Sequence, residues 1–309
     1  MLMPLPKEML KEMDFSEVAI YLIHRGRPVL YKNKGVPLSF DTISDIYDRL
    51  DNFYILRSDA KFVVEEIGKK LREAFSKPAD LSNMEVVFEQ LSHLVDMVLA
   101  SPTKEQMDFV KGMYYMFADY MESEPQAAYL VAFTIKKDFT TTLHVTNVSV
   151  LVAGFAYHLG YRGDRYKDIC VSAFFHDIGK VKVPDDILKK PGKLTMREFE
   201  IIKRHTVWGA KILKENGFDK HVPVAMYHHE YLDGSGYPEG LTGSRIPEDA
   251  RLVQICDIYE ALTGIRPYRD PLAPYDALSL LRDNFVLKGK VGKDLYSEFL
   301  VFLYRNRYD

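Results

Sequence analysis

The stretch that decides the fold runs from residue 176 to residue 238. It opens with His-Asp-Ile-Gly-Lys at 176–180 and closes with His-His-Glu at 228–230 and Asp-Gly-Ser-Gly-Tyr-Pro at 233–238, with His205 between them. Imidazole and carboxylate groups are common protein ligands of transition metals. Their density in this stretch predicts a multinuclear metal site.

The first motif places a histidine beside an aspartate. Adjacent side chains on a helix point about 100° apart and normally diverge. Gly179 ends the predicted helix, and at a helix end His176 and Asp177 can face one cleft. An imidazole binds one cation, whereas the two oxygens of a carboxylate can bridge two. The pair therefore suits a binuclear site, although the dipeptide alone is common by chance.

Other candidate ligands lie in apolar, helix-like surroundings. His228 and His229 end an apolar helix, where they are either metal ligands or a solvated helix terminus. His144 and His205, each taken alone, would be read as core histidines with satisfied hydrogen bonds. Asp257 lies inside an apolar helix, where a carboxylate needs a pair, hydrogen bonds or a metal.

Together these residues form one predicted ligand set on successive helices. A mixture of imidazole and carboxylate suits iron, manganese, zinc or nickel better than magnesium. Two such cations about 3.5–4 Å apart form a clamp for in-line displacement at phosphorus, with a bridging hydroxide as nucleophile. The predicted ligands are His144, His176, Asp177, His205, His228, His229 and Asp257.

The bulk composition excludes several classes of partner. The 309-residue chain has a net charge of −3, which gives no electrostatic reason to expect a nucleic-acid polymer or a membrane surface as partner. Neither a signal-peptide core nor a run of about 18 apolar residues is present. Cys170 and Cys256 lie in apolar helical runs and are predicted to be buried free thiols. We expect a cytoplasmic protein.

The chain is predicted to have an α+β organisation in three parts. Residues 1–78 form a small α/β regulatory domain, residues 79–136 a helical connector, and residues 137–309 an all-α domain. The first part carries no chemical constellation. Its predicted strands and helices are strands at 18–23, 29–31 and 53–56 and helices at 41–50 and 59–75.

The remaining residues show a helical pattern. Two capping boxes are predicted. The first is Ser82-x-x-Glu85, with Leu81 and Val86 as its hydrophobic staple, and the second is Thr195-x-x-Glu198, with Leu194 and Phe199 as its staple. The predicted helices of the third part are 143–159, 165–177, 196–216, 221–231, 247–263 and 274–286.

The ligand set and its flanking motifs together resemble a known family. The spaced pattern H…HDxGK…H…HHE…DGxGYP…D…RPYR resembles the HD-GYP family, a branch of the HD-domain metal-dependent phosphohydrolases. Here it reads from His144 to Arg269, within a resemblance that covers about residues 138–305. The resemblance implies a helical HD-type domain and a phosphodiesterase that opens cyclic di-GMP to pGpG and in some members continues to GMP.

The resemblance also implies roles for individual residues. His144, His176, Asp177 and Asp257 match the ligands of one metal, and Asp177 bridges to a second metal held by His205, His228 and His229. The implied centre is binuclear, with iron first and manganese as the alternative. Lys180 matches a catalytic residue that contacts the scissile phosphate. The implied substrate contacts are Lys180, Gly236, Tyr237, Arg266 and Arg269.

One position departs from the pattern. Four residues before the first histidine ligand, many members have tyrosine, and some have a glutamate that binds a third metal. Thr140 stands there in this chain. Because threonine is a poor ligand and cannot replace a phenol, we predict a two-metal site and leave the rate of turnover open.

Two other functions compete with the phosphodiesterase. The first is a cyclic di-GMP receptor of low or no activity, which signals through its N-terminal domain or a protein partner and which Thr140 favours. The second is an HD hydrolase of another phosphoester, such as a different cyclic dinucleotide, against which the Gly-Tyr-Pro and Arg-Pro-Tyr-Arg motifs argue. Homodimerisation through the helical connector is compatible with either.

Overall fold

The computed structural model describes residues 1–38 except 12 and 14, residues 47 and 50, and residues 53–134, 140–265 and 270–305. The chain begins with an antiparallel sheet of four strands in the order β1-β4-β2-β3. The strands are β1 (Leu2–Leu5), β2 (Ile20–His24), β3 (Arg27–Lys32) and β4 (Phe53–Leu56).

Three of the four strands were predicted, and β1 was not. The sequence of β1 is Leu-Met-Pro-Leu, and a proline weakens any strand prediction because it donates no backbone hydrogen bond. At the edge of a sheet that loss is tolerated, and β1 pairs only with β4 among the described strands. The predicted helix at 41–50 falls almost entirely outside the described residues.

Helix α1 (Ala60–Phe75) follows the sheet and leads into the helical part. Its buried stripe includes Val63, Ile67 and Leu71, as the 3.6-residue period predicts. Helices α2 (Leu81–Ala100), α3 (Lys104–Ser123) and α4 (Ala127–Thr134) follow. Most of the buried apolar side chains form one cluster that extends from Met3 to Phe302.

The capping box predicted at Ser82 is wrong. Asp80 caps α2, because its extended backbone places the carboxylate to accept the N–H of Asn83 at 2.8 Å. Ser82 therefore lies inside the helix. Leu81 and Val86 are 51% and 42% exposed, so they form no hydrophobic staple.

Helix α5 (Thr141–His158) is the central helix of the HD-type part. All its residues from His144 to Ala156 are buried, as expected for a helix enclosed on every side. Helix α6 (Gly163–Phe175) packs against it, and a short 3₁₀ turn at Ile178–Lys182 follows α6. These two helices place the first histidine motifs in the interior.

The helix predicted at 196–216 is two helices. They are α8 (Met196–Lys203), preceded by the single-turn helix α7 (Asp185–Leu188), and α9 (His205–Glu215), with Arg204 between them. The capping box predicted at Thr195 is confirmed, with reciprocal hydrogen bonds to Glu198. The break puts His205 on the first turn of α9 and not at mid-helix.

The last helices are shorter than predicted at two places. Helix α10 (Val222–Tyr227) ends just before the paired histidines, and α11 is Glu248–Thr263. Helix α12 (Pro274–Leu281) ends in a π turn at Arg282–Val286, and α13 is Lys293–Arg305. None of the described helices is both long and apolar enough to cross a lipid bilayer.

Candidate metal centre

Glycine brings the His-Asp motif against a second ligand helix. A side chain at Gly179 would collide with the backbone carbonyl oxygen of His205 and with the backbone nitrogen of Gly209. Only glycine permits the 3₁₀ turn to pack this closely on α9. The same approach brings Asp177, just before the turn, next to His205.

Asp177 lies between two groups of candidate ligands. Its Oδ2 atom is 3.2 Å from Nε2 of His144 and 3.4 Å from Nε2 of His176. Its Oδ1 atom is 3.2 Å from Nε2 of His205 and 3.8 Å from Nε2 of His228. The carboxylate therefore presents one oxygen to each group, as a ligand that bridges two cations must.

Asp257 and His229 complete the two groups. Oδ1 of Asp257 is 3.2 Å from Nε2 of His144, and its Oδ2 is 3.8 Å from Nδ1 of His229. Within each group the ligand atoms lie within 4.8 Å of one another. All seven predicted ligands are therefore brought together. The groups are His144, His176 and Asp257, and Asp177, His205, His228 and His229.

The outer nitrogens of three histidines are held by backbone carbonyl groups. The Nδ1 atom of His176 lies 2.6 Å from the backbone carbonyl oxygen of Ala173. The Nδ1 atoms of His205 and His228 lie 2.7 Å and 3.0 Å from the carbonyl oxygens of Ile202 and Val224, respectively. When Nδ1 carries the proton and donates to these oxygens, the lone pair of Nε2 points at the centre. The helix ends at residues 175, 203 and 227 therefore orient the ligands.

Glu260 fixes the fourth histidine and was missed by the sequence reasoning. Its buried carboxylate lies 2.5 Å from Nδ1 of His144 and accepts the side-chain N–H of Asn147 at 3.0 Å. Its position one turn after Asp257 on the same apolar helix is the signal that predicts a second inward carboxylate.

The protonation states suit cation binding. Burial would raise the pKa of Asp177, but Lys180 and His176 outweigh it and hold that pKa well below its usual range. Burial lowers the pKa of His229 to about 3, and burial with neighbouring histidines lowers that of His228. An ionised carboxylate beside neutral imidazoles is the set that a divalent cation needs.

His144 differs from the other histidines. Burial lowers its pKa, but Glu260, Asp177 and Asp257 outweigh burial and raise it to about 10. The proton on His144 supplies a positive charge among these three carboxylates, as a bound metal ion would. Because ligands must be deprotonated, metal binding would release it.

Buried polar atoms at the centre lack ordinary partners. Among the described residues, Nε2 of His176 and both oxygens of Asp177 make no hydrogen bond of normal geometry, although charged neighbours surround them. Leaving such atoms buried without hydrogen bonds is costly. The donor chemistry and these atoms together fit a pair of bound transition-metal ions.

Lys180 reaches the centre from the 3₁₀ turn. Its ammonium group forms an ion pair with Oδ2 of Asp177, the oxygen that faces the first ligand group. The Lys180 side chain remains 19% exposed, whereas Asp177 is 1% exposed. Lys180 therefore joins the buried carboxylate to the solvent side of the centre.

The Gly-Tyr-Pro loop is tied to the ligands by Glu230, to which the sequence analysis gave no role. The buried carboxylate of Glu230 accepts the backbone N–H groups of Glu239, Gly240 and Leu241 at 2.7, 3.0 and 2.9 Å. Gly236 packs against the backbone of Glu230, where a side chain would collide. The histidine pair and the loop thus form one unit.

The remaining predicted site residues fall in different places. Tyr237 stacks on His229, with ring centroids 4.8 Å apart. Thr140 is exposed and caps α5, where its hydroxyl accepts the N–H of Leu143 at 3.0 Å. Arg266 and Arg269 lie outside the described residues.

Residues 127–285, slightly more than half of the chain, match the family model described as HD domain. The chain belongs to the HD domain family. This membership confirms the HD-type helical fold predicted from the motifs. The match begins at residue 127, inside the segment predicted as a connector.

Two curated relatives carry names of enzymes that act on cyclic dinucleotides. The cyclic di-GMP phosphodiesterase response regulator RpfG of Xanthomonas campestris is 38% identical over 148 residues, which are 47% of this chain and 39% of that protein. The 3'3'-cGAMP-specific phosphodiesterase 2 of Vibrio cholerae is 29% identical over 251 residues, 74% of this chain and 48% of that protein. The matches span less than half the length of either relative.

A solved structure has a similar fold. The HDG"Y"P protein Bd1817 from Bdellovibrio bacteriovorus superposes with a TM-score of 0.69 over 98% of this chain and 100% of that chain, at 17% identity. At this identity the similarity supports the arrangement of helices and strands alone. It extends beyond the HD domain into the N-terminal sheet.

Proposed function

We propose that the chain is a metal-dependent phosphodiesterase that opens cyclic di-GMP to pGpG and can continue to GMP. The observation that carries the proposal is the position of Asp177, which presents one carboxylate oxygen to each of two ligand groups. When bound there, two cations would lower the pKa of a shared water and neutralise charge on the scissile phosphate. Iron, with manganese as the alternative, suits the mixture of imidazole and carboxylate.

The protein's own groups would position and stabilise the reacting phosphate. Glu260 holds His144 in its ligand orientation, and the carbonyl of Ile202 does the same for His205. The ammonium group of Lys180 lies beside the bridging carboxylate and retains access to solvent. It can donate to a phosphate oxygen and stabilise the negative charge that develops there.

Whether the substrate is cyclic di-GMP or 3'3'-cGAMP is a separate question. The match to the relative named for cyclic di-GMP covers 47% of this chain, whereas the match to the relative named for 3'3'-cGAMP covers 74%. The second match has the lower identity but includes more of the chain before the HD domain. We therefore keep 3'3'-cGAMP as the alternative substrate.

Thr140 supports a second function, that of a cyclic dinucleotide receptor with little turnover. Its hydroxyl accepts the N–H of Leu143 and lies at an exposed helix start, so it offers neither a phenol nor a carboxylate near the metals. In that function the centre would bind the nucleotide and signal through the N-terminal domain or a protein partner. The protein partner, the homodimer and the cytoplasmic location remain predictions.

Turnover of purified protein separates these functions. The full chain is loaded with iron(II) or manganese(II) under reducing conditions, and cyclic di-GMP, 3'3'-cGAMP and their linear products are followed by chromatography. We expect hydrolysis of at least one cyclic dinucleotide by the wild type and none by Asp177→Ala. Tight binding without hydrolysis would support the receptor function and contradict the enzymatic one. Hydrolysis by Asp177→Ala would contradict the two-metal centre.

A further inference from the structure

A row of aromatic rings extends outward from the metal ligand His229. Tyr237 stacks on His229 at a centroid distance of 4.8 Å and an interplanar angle of 29°. Phe199 follows, with its centroid 6.4 Å from that of Tyr237 and its plane inclined by 80°. We call Phe199, Lys203 and Tyr237 the outer wall.

Lys203 places a positive charge beside both rings of the outer wall. Its Nζ atom is 5.1 Å from the ring centroid of Phe199 and 5.6 Å from that of Tyr237. These are distances at which an ammonium group is attracted to an aromatic face. Lys203 also forms an ion pair with Glu200 at 2.6 Å, which holds its stem along α8.

Phe199 is the exposed member of the row. It is 45% exposed, whereas Tyr237 is only partly exposed and already contacts His229, His205 and Phe199. The aromatic surface that the outer wall offers to solvent is therefore mainly that of Phe199.

The helix that carries Phe199 is capped at its start and bonded to the loop before it. Thr195 and Glu198 form the reciprocal capping box at the start of α8. Lys190 donates to both carboxylate oxygens of Glu198 at 2.8 Å and ties the preceding loop to the same helix. Phe199 thus projects from an ordered helix, and its side chain has few rotatable bonds. Both features lower the entropy cost of stacking a ligand on the ring.

We propose that Phe199 stacks on one purine base of the cyclic dinucleotide, with Lys203 providing a cation at the edge of that stack. This inference rests on the proposed function and specifies how the same site recognises its substrate. Aromatic side chains can stack on any nucleotide base, because every base has a flat π face. The row from His229 to Phe199 connects the metals, where the phosphate reacts, to the surface where a base would lie.

The test compares Phe199→Ala with a matched control in the full-length, metal-loaded protein. Val207 on α9 has the same exposed fraction, 45%, and lies outside the outer wall, so Val207→Ala controls for the loss of an exposed apolar side chain. We expect Phe199→Ala to raise KM for the cyclic dinucleotide by roughly tenfold or more with little change in kcat. We expect Phe199→Trp to restore a low KM.

Two results would overturn the inference. An unchanged KM in Phe199→Ala would show that no base stacks on the ring. A fall in kcat together with loss of bound metal, not repaired by Phe199→Trp, would show that the ring only supports Tyr237 and His229. Metal content is therefore measured for every variant.

A binding measurement keeps this test separate from the proposed enzymatic activity. The chain has a single tryptophan, Trp208, so Phe199→Trp in a Trp208→Phe background places the only indole on the outer wall. We expect cyclic di-GMP or 3'3'-cGAMP to change its fluorescence even when turnover is absent. Turnover without this change would contradict the stacking but not the phosphodiesterase, and the reverse result would contradict only the phosphodiesterase.

Discussion

The candidate metal centre and the N-terminal sheet both bury charged side chains, but the groups that surround those charges differ. In the sheet, the ammonium group of Lys32 is buried and donates to the carbonyl oxygens of Phe15, Val18 and Asn33 at 2.5, 2.7 and 3.1 Å. At the centre, Asp177 is equally buried, yet its oxygens face histidine nitrogens and make no ordinary hydrogen bond within the described residues.

This difference separates a structural charge from a functional one. A buried charge whose hydrogen bonds are satisfied by backbone stabilises a particular fold. A buried charge that converges with six other potential ligands, and whose oxygens make no ordinary hydrogen bond, is arranged for a group that the protein binds. Lys32 should therefore affect stability without affecting chemistry, and Asp177 the reverse.

The largest effect is expected for Asp177→Ala. Because Asp177 contributes to both ligand groups, its removal should abolish turnover and greatly reduce the binding of both metals. Chromatography of the products and elemental analysis of the protein measure the two losses. Circular dichroism should show an unchanged helix content, and a variant that keeps two bound metals would contradict the bridging role.

Lys180→Ala should reduce turnover by about 10²–10³-fold, the effect of removing one preorganised donor to developing charge, and leave the metal content unchanged. The neighbouring Lys182 is exposed on the same 3₁₀ turn, and Lys182→Ala is the matched control. Equal effects of the two substitutions on kcat would mean that Lys180 acts only through the general charge of the turn.

Glu260→Gln should weaken metal binding by about 10–100-fold, because it removes the carboxylate that orients His144. Titration of the metal-free protein with manganese(II) measures this affinity. The control is Glu248→Gln at the exposed start of the same helix, which should leave the affinity unchanged. Unaltered affinity in Glu260→Gln would remove Glu260 from the ligand-orienting network.

Lys32→Met should have the smallest effect on chemistry and a measurable effect on stability. Three carbonyl oxygens lose their donor, so we expect a loss of about 1–3 kcal/mol in the free energy of unfolding. Denaturant unfolding measures the loss, and turnover per folded molecule should equal that of the wild type. Reduced metal binding in this variant would link the sheet to the centre and contradict a purely structural role for Lys32.

The convergence of the candidate ligands was predictable, because the prediction depends only on residue types and their spacing in the sequence. His176-Asp177, His205 and His228-His229 combine motifs that few structural roles require. The ring orientations were not predictable, because they depend on carbonyl groups freed where α6, α8 and α10 end. Glu260 was underestimated for a related reason, since its partner His144 lies 116 residues away in the chain.

The fold was predictable at the level of elements and less so at their ends. Asp80 and Ser82 both have side chains that can cap α2, and only the extended backbone at Asp80 decides between them. The break at Arg204 could not be predicted, because Lys203-Arg204-His205 contains neither proline nor glycine. Just after this break, the carbonyl oxygen of His205 lies against Gly179.

Metal stoichiometry and magnetic coupling test the central claim most directly. The metal-free full-length protein is titrated with manganese(II), and bound ions are counted while low-temperature electron paramagnetic resonance is recorded. A carboxylate shared by Asp177 predicts two ions per chain and the spectrum of a magnetically coupled pair. One ion per chain, two ions with an uncoupled spectrum, or three ions per chain despite Thr140 would contradict the account.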